Sequence, residues 1–209
     1  MSPRKSALEA VATRTRIIGR ALEVASADGL EGLTIGRLAA DLGMSKAGVI
    51  GHFGTKEALQ LAVLDAAVER FRLRVPARVV GAEPGTERLG RAFGEWLDFM
   101  MEGEGHGGCF LTSAASEFDG RPGPVRDAVI AALTSWSEYV TAELAIAARN
   151  GTLPPDTDVD QLAFELNGVV LAAEQAIQLY RDPRAPARAR AAITRLLRGV
   201  TPPGAERAG

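Results

Sequence analysis

Between Leu33 and Leu59 the chain reads LTIGRLAADLGMSKAGVIGHFGTKEAL, and this stretch restricts the fold more than any other. Thr34 is placed to cap a short helix whose one face carries Ile35, Leu38, Ala39 and Leu42. Gly43 follows where a sharp bend needs a residue that tolerates positive φ. Met44 is apolar and suits the corner. Ser45 caps a second short helix, expected from Lys46 to about Phe53, with Val49, Ile50 and Phe53 as apolar anchors. Two short helices joined by a turn of three or four residues containing glycine form the helix-turn-helix pattern. Its second helix lies in the major groove of DNA and presents its N-terminal residues to base edges.

Two short helices bury too little, so the flanks must complete a core. Residues 1 to about 8 read as a loose arm in which Arg4 and Lys5 could reach phosphates. Val11 to Ala27 carries Ile17, Ala21, Val24 and Ala25 at helical spacing, widened by Ile18 and Leu22, and Gly29 fits its C-terminal cap. Thr55 caps a long helix through Leu59, Ala62, Val63 and Phe71 that ends or kinks at Pro76. Its N-terminus lies beside the motif, so Lys56 and the free amides there suit a phosphate.

Further helices are expected over residues 86–101, 109–118, 125–148, 159–180 and 186–197, with a disordered tail at 202–209. The 86–101 helix carries Leu89, Phe93, Trp96, Leu97 and Met100 on one side. The 125–148 helix carries Val129, Leu133, Trp136, Val140 and Leu144. No strand alternation appears, so the fold class is all-α. The expected division is a DNA-binding domain at 1–54, a connecting helix at 55–79, and a ligand-binding and dimerisation domain over 55–201.

Formal net charge is −2, which alone argues against a nucleic-acid binder. The distribution is more useful. Residues 1–60 hold all three lysines and sum to about +2, and the remainder sums to about −4. A basic head on an acidic body fits a DNA-binding domain attached to a body that stays off DNA. No apolar run reaches the length of a membrane span. The N-terminus lacks a signal-peptide core, and the single Cys109 has no intramolecular partner, which fits the cytoplasm.

Enzyme chemistry finds little to work with. Gly103 to Gly108 satisfies G-x-G-x-x-G, but no strand precedes it and no βαβ unit surrounds it, so a flexible inter-helix loop is expected. His106 in that loop has no partners at metal-ligand spacing. Cys109, beside Phe110 and Leu111, reads as a small core residue. Glu117 and Asp119 precede a Gly-Pro turn and read as a capped helix end. No cofactor and no metal are expected.

The motif resembles that of the TetR (tetracycline-repressor-like) family of transcriptional regulators. The matching residues are Thr34-Ile35, Leu38-Ala39, Leu42-Gly43-Met44-Ser45, His52-Phe53 and Lys56-Glu57-Ala58-Leu59. The family usually has Tyr or Phe two residues before the histidine, and this chain has Ile50. The resemblance implies DNA contacts from Thr34, Arg37, Ser45, Lys46, Ala47, Gly48, His52 and Lys56. It implies a homodimer whose last two helices pair with their copies, with Leu166, Val169, Ala173, Ile177, Ile193 and Leu196 as candidates. It also implies a small hydrophobic effector within the body, with Trp96, Phe99, Phe110, Trp136, Tyr139, Phe164 and Asn167 as lining candidates. The expected activity is then that of a repressor released by the effector from an inverted-repeat operator in double-stranded DNA.

Two alternatives stay open at this point. One is a ligand-independent architectural DNA binder. The other is a helical enzyme or carrier that retains the motif as packing. On the 159–180 helix two stripes compete: Leu162, Leu166, Val169, Ala173 and Ile177 against Phe164, Asn167, Leu171, Gln175 and Gln178. Asn167 needs a polar partner if buried, from a ligand or from the other subunit.

Overall fold

The computed structural model describes residues 3–102 and 108–198. Among them there is no strand, and the chain runs through nine α-helices and one 3₁₀ turn. These are α1 (Pro3–Asp28), α2 (Ile35–Leu42), α3 (Lys46–Ile50), α4 (Lys56–Arg74), the 3₁₀ turn Pro76–Val79, α5 (Thr86–Glu102), α6 (Phe110–Phe118), α7 (Pro124–Arg149), α8 (Val159–Gln178) and α9 (Ala185–Leu197). The side chains of Arg4 and Lys5, the histidine at 106 with most of its glycine-rich segment, and the tail at 202–209 lie outside the described residues.

The expected arm is the start of α1, which begins at Pro3. A proline at the first helical position loses no hydrogen bond, because that N–H would have no partner anyway. At the other end Gly29 caps α1 with φ +81°, its N–H donating to the Ala25 carbonyl at 3.0 Å. Pro76 stops α4 as expected, since it has no N–H to continue the ladder.

The backbone divides into two compact units. The first is Met1–Phe71 with Glu104–Leu133, and the second is Arg72–Gly103 with Thr134–Gly209. Compactness therefore cuts the chain differently from the expected boundary at 54/55. In the first unit, α1 to α4 surround a core of Ile17, Ala21, Val24, Leu30, Leu33, Leu38, Val49, Leu59 and Val63. Phe118 of α6 and Val125 of α7 belong to that same core. A core so small buries little on its own, and two residues from later in the chain add to it.

In the second unit, α5 buries Leu89, Phe93, Trp96, Leu97 and Met100, the face expected from spacing. The later part of α7 buries Trp136, Val140 and Leu144. Leu133, expected on that face, is exposed in the first unit, at the division within α7. Helix α8 buries Leu162, Leu166, Val170, Ala173 and Ile177, and α9 buries Ala185, Ala189, Ile193 and Leu197. Two carboxylates, Glu143 and Glu174, are buried here. Glu143 accepts from the Gly85 amide at 2.6 Å and the Arg88 guanidinium at 3.0 Å, and Arg88 also donates to the Ala82 carbonyl. The Glu143 charge is thus paired and hydrogen-bonded, which is the condition for burying it.

Candidate nucleic-acid interface

Helix α2 starts at a β-conformation Thr34 whose hydroxyl oxygen accepts from the Arg37 amide at 3.2 Å. It stops at Gly43 in the left-handed region, φ +63°, and the Met44 amide donates back to the Ala39 carbonyl at 2.8 Å. A β-carbon at that φ would be strained, so glycine sets the sharpness of the turn. Ser45 then caps α3, its oxygen accepting from the Gly48 amide at 3.0 Å. Val49 is fully buried and anchors α3 on the core, with Met44 and Phe53 partly buried beside it.

Helix α3 ends at Ile50, earlier than expected, and the chain continues through a turn to Gly54. Ile50 is not an anchor but is exposed. The exposed face at the start of α3 consists of Ser45, Lys46 and Ala47, with Gly48 half-buried behind them. Lys46 lies over Gly36 of α2, where a β-carbon would come within 3.2 Å of Lys46 Cε. Small residues at 36, 47 and 48 leave this corner low, with one long cation rising from it. His52 is half-buried at the following turn, its ring centroid 6.5 Å from that of Phe53. The Arg14 guanidinium lies 4.9 Å from the Phe53 centroid, a cation–π contact between α1 and that turn.

Two expected DNA contacts have partners within the protein. Arg37 forms an ion pair with Asp28. The Lys56 ammonium donates to the Glu31 carbonyl at 2.8 Å and lies 3.3 Å from the Glu31 carboxylate. A lysine so held is directed at the turn between α1 and α2. Glu31 also accepts from Gln60. That hydrogen bond first, then the Lys56 and Arg121 charges, hold its carboxyl below the usual range against the opposing effect of burial.

The expected effector residues separate. Trp96, Trp136 and Tyr139 lie together with Phe93: Trp96 and Trp136 meet edge to face at 5.0 Å, and Trp136 and Tyr139 lie 5.4 Å apart. Asn167 joins them, accepting from the Trp136 indole at 2.9 Å and donating to the Ala163 carbonyl at 3.0 Å. Its partner is thus an indole of its own chain, neither ligand nor second subunit. The Tyr139 hydroxyl is buried with no hydrogen-bond partner, and burial, with Glu143 adding to it, pushes its pKa up to about 12. Phe99 is half-buried on α5. Phe110 packs instead against the core of the first unit. Phe164 is 74% exposed. A separate open groove of about 650 Å³ runs between α5 and α9, with Arg78, Arg91, Arg190 and Arg198 on its walls, and contains none of the seven.

The expected dimer stripe also requires correction. Leu166, Ala173, Ile177 and Ile193 are buried within the protomer, and Val169 and Leu196 are half-buried. The opposite side of α8 carries the exposed apolar residues Phe164 and Leu171, followed by Leu179 and Tyr180. The second stripe interleaves its apolar residues with Asn167, Gln175 and Gln178, and the more apolar first stripe packs inward, against α9.

Among the described residues no group of His, Cys, Asp and Glu is arranged to hold a metal, and no helix is long and apolar enough to cross a membrane. Cys109 is buried, as its setting predicted. What the first unit presents is a capped helix-turn-helix with a low, cationic corner, the construction of a DNA-binding regulator.

The comparisons agree with that class. The family described as bacterial regulatory proteins, tetR family, matches residues 17–63, and the tetracyclin repressor-like C-terminal domain matches residues 85–193, more than half of the chain. The protein belongs to the TetR family of transcriptional regulators, a class of DNA-binding proteins and not of enzymes. No curated protein matches it. A TetR regulator from Chloroflexus aurantiacus shares its fold at a TM-score of 0.82 and 23% identity, over 88% of this chain and 93% of that one. A TetR-family regulator from Streptomyces coelicolor has a TM-score of 0.76 and 25% identity, over 88% and 94%. AibR, solved with isovaleryl coenzyme A and operator DNA, has a TM-score of 0.69 and 23% identity, over 87% and 98%.

Proposed function

We propose that this regulator is a repressor that binds an inverted-repeat operator as a homodimer and leaves it when a small, mainly apolar effector enters the body. The observation that carries the DNA reading is the exposed corner Ser45-Lys46-Ala47-Gly48 at the capped start of α3. Lys46 reads a base edge, Ala47 and Gly48 allow close approach, and His52 with the amide ends of α2 and α4 holds phosphates. In this reading the functional division is a head over 1–54 and a body over 55–201 that binds effector and partner.

The outward face of α8 pairs with its copy through Phe164 and Leu171. Exposed aromatic and aliphatic residues on one helix face suit a two-fold, self-complementary contact. The effector site is centred on Trp96, Trp136 and Tyr139. A buried hydroxyl with no partner costs free energy that a ligand's polar group would recover. AibR, a structural neighbour, was solved with an acyl thioester of coenzyme A, which supports an effector bound by the body. An effector acts only through its greater affinity for the DNA-incompetent state.

Selection of duplexes from a random pool tests the reading. The enriched sequence is expected to be an inverted repeat with half-sites about one helical turn, roughly 34–36 Å, apart. Enrichment without any common sequence would favour the architectural binder instead.

A further inference from the structure

Glu117, near the end of α6, reaches the turn between α1 and α2. The Leu30 amide donates to its Oε2 and the Glu31 amide to its Oε1, each at 2.8 Å. One carboxylate thus takes two consecutive backbone donors, one on each oxygen. A β-carbon on Gly29 would sit 2.9 Å from Glu117 Oε1, so a side chain there would push the carboxylate aside, while the positive φ is what calls for glycine.

The same two residues are held from the other side by α4. Gln60, almost wholly buried, donates to the Leu30 carbonyl at 3.1 Å, and the Lys56 ammonium donates to the Glu31 carbonyl at 2.8 Å. The amides of this turn therefore belong to α6 and its carbonyls to α4. Arg121, just after α6, adds a cation 3.6 Å from the Glu31 carboxylate. Helix α2 begins at Ile35, four residues beyond Glu31. Where the turn stands therefore bears directly on where the helix-turn-helix stands. Phe118, next to Glu117, is packed in the head's core, so the carboxylate is aimed from a fixed base.

We infer that Glu117 is a positioning residue for the DNA-binding head. Its carboxylate fixes the α1–α2 turn to α6, so that α2 and α3 are held in the arrangement that reads the operator. The inference rests on the DNA-binding reading above and adds a residue outside the helix-turn-helix to it.

Glu117→Gln keeps the size of the side chain but replaces one acceptor by a donor facing an N–H. The test uses the full-length chain, the duplex enriched by the wild-type protein, and a scrambled duplex of equal length. In Glu117→Gln the Leu30 and Glu31 amides are expected to exchange with solvent at least about tenfold faster. The preference for operator over scrambled duplex should fall about five- to tenfold, and the slope of affinity against salt should not change, because no phosphate contact is lost. Ser116→Ala, one residue away, should behave as wild type. Equal operator preference in Glu117→Gln and wild type would overturn the inference. So would an equal loss on both duplexes. If Glu117→Gln does not fold, the wild-type protein decides: Leu30 and Glu31 amides that exchange as fast as other exposed turn amides would overturn it as well. A pool that enriches no operator fails the DNA-binding reading and this inference with it, whereas an operator bound alike by both proteins fails this inference alone.

Discussion

The Trp136 indole N–H donates to Asn167 Oδ1 at 2.9 Å, and Asn167 returns its own amide N–H to the Ala163 carbonyl one turn earlier on α8. This pair joins α7 to α8 in the second unit. Asn167→Leu removes the carboxamide acceptor of this indole N–H, in a buried tryptophan. We expect a loss of about 1–3 kcal/mol, the cost of an unsatisfied buried donor. Urea unfolding of the variant checks it, and an unchanged midpoint would mean the indole finds water instead.

Tyr139 offers the opposite case. Its hydroxyl is already buried and unpaired, so Tyr139→Phe should be neutral or stabilise by up to about 1 kcal/mol at neutral pH. The pH dependence has a definite sign. The folded pKa, about 12, lies above the ordinary value of 10.0. The folded state therefore retains a proton that the unfolded state has lost, and stability falls as the pH rises from about 10 to about 12. Tyr139→Phe should lose that part of the alkaline dependence, measured by denaturant midpoints across the range. A variant with the full wild-type dependence would assign it to other groups.

Lys46 and Lys56 are expected to separate in DNA binding. Lys46→Ala should weaken operator binding by about 1–3 kcal/mol and relax preference at one base position. Lys56→Ala should leave the salt slope of binding unchanged, because its ammonium is held by Glu31. Its cost should appear as stability, about 1 kcal/mol or less, since both partners are substantially exposed and screened. A salt slope lower by roughly one unit per protomer in Lys56→Ala would return this lysine to a phosphate.

The two faces of α8 make a further contrast. Phe164→Asp with Leu171→Asp should give folded monomers by sedimentation, because both side chains point outward. Leu166→Asp should unfold the protein, because it introduces a charge at a fully buried position with nothing to pair it. Dimers of the first variant would move the interface off this face of α8.

The head was legible because its signals are local. Thr34 and Ser45 cap helices by bonding an amide three residues on, and Gly43 turns the chain at its own φ. Such contacts are complete within a few residues, so residue type and order determine them. Helix existence along the body was legible for the same reason, through apolar spacing and the stop at Pro76. Which stripe of α8 faces inward was not, because each carries large apolar residues and the choice depends on α9 and α5. Asn167 read as a polar residue without a partner, because Trp136 lies 31 positions earlier.

Glu117 is the sharpest case. By itself the sequence determined that this is an all-α chain with a capped helix-turn-helix, a Gly29 capping the helix before it and a carboxylate near a Gly-Pro turn. Only the tertiary structure decided that the carboxylate belongs to the head, across 86 and 87 positions of chain. It decided likewise that Lys56 serves the same turn. A carboxylate has the same chemistry at a helix end and on a distant turn, and long-range packing selects which donors it meets.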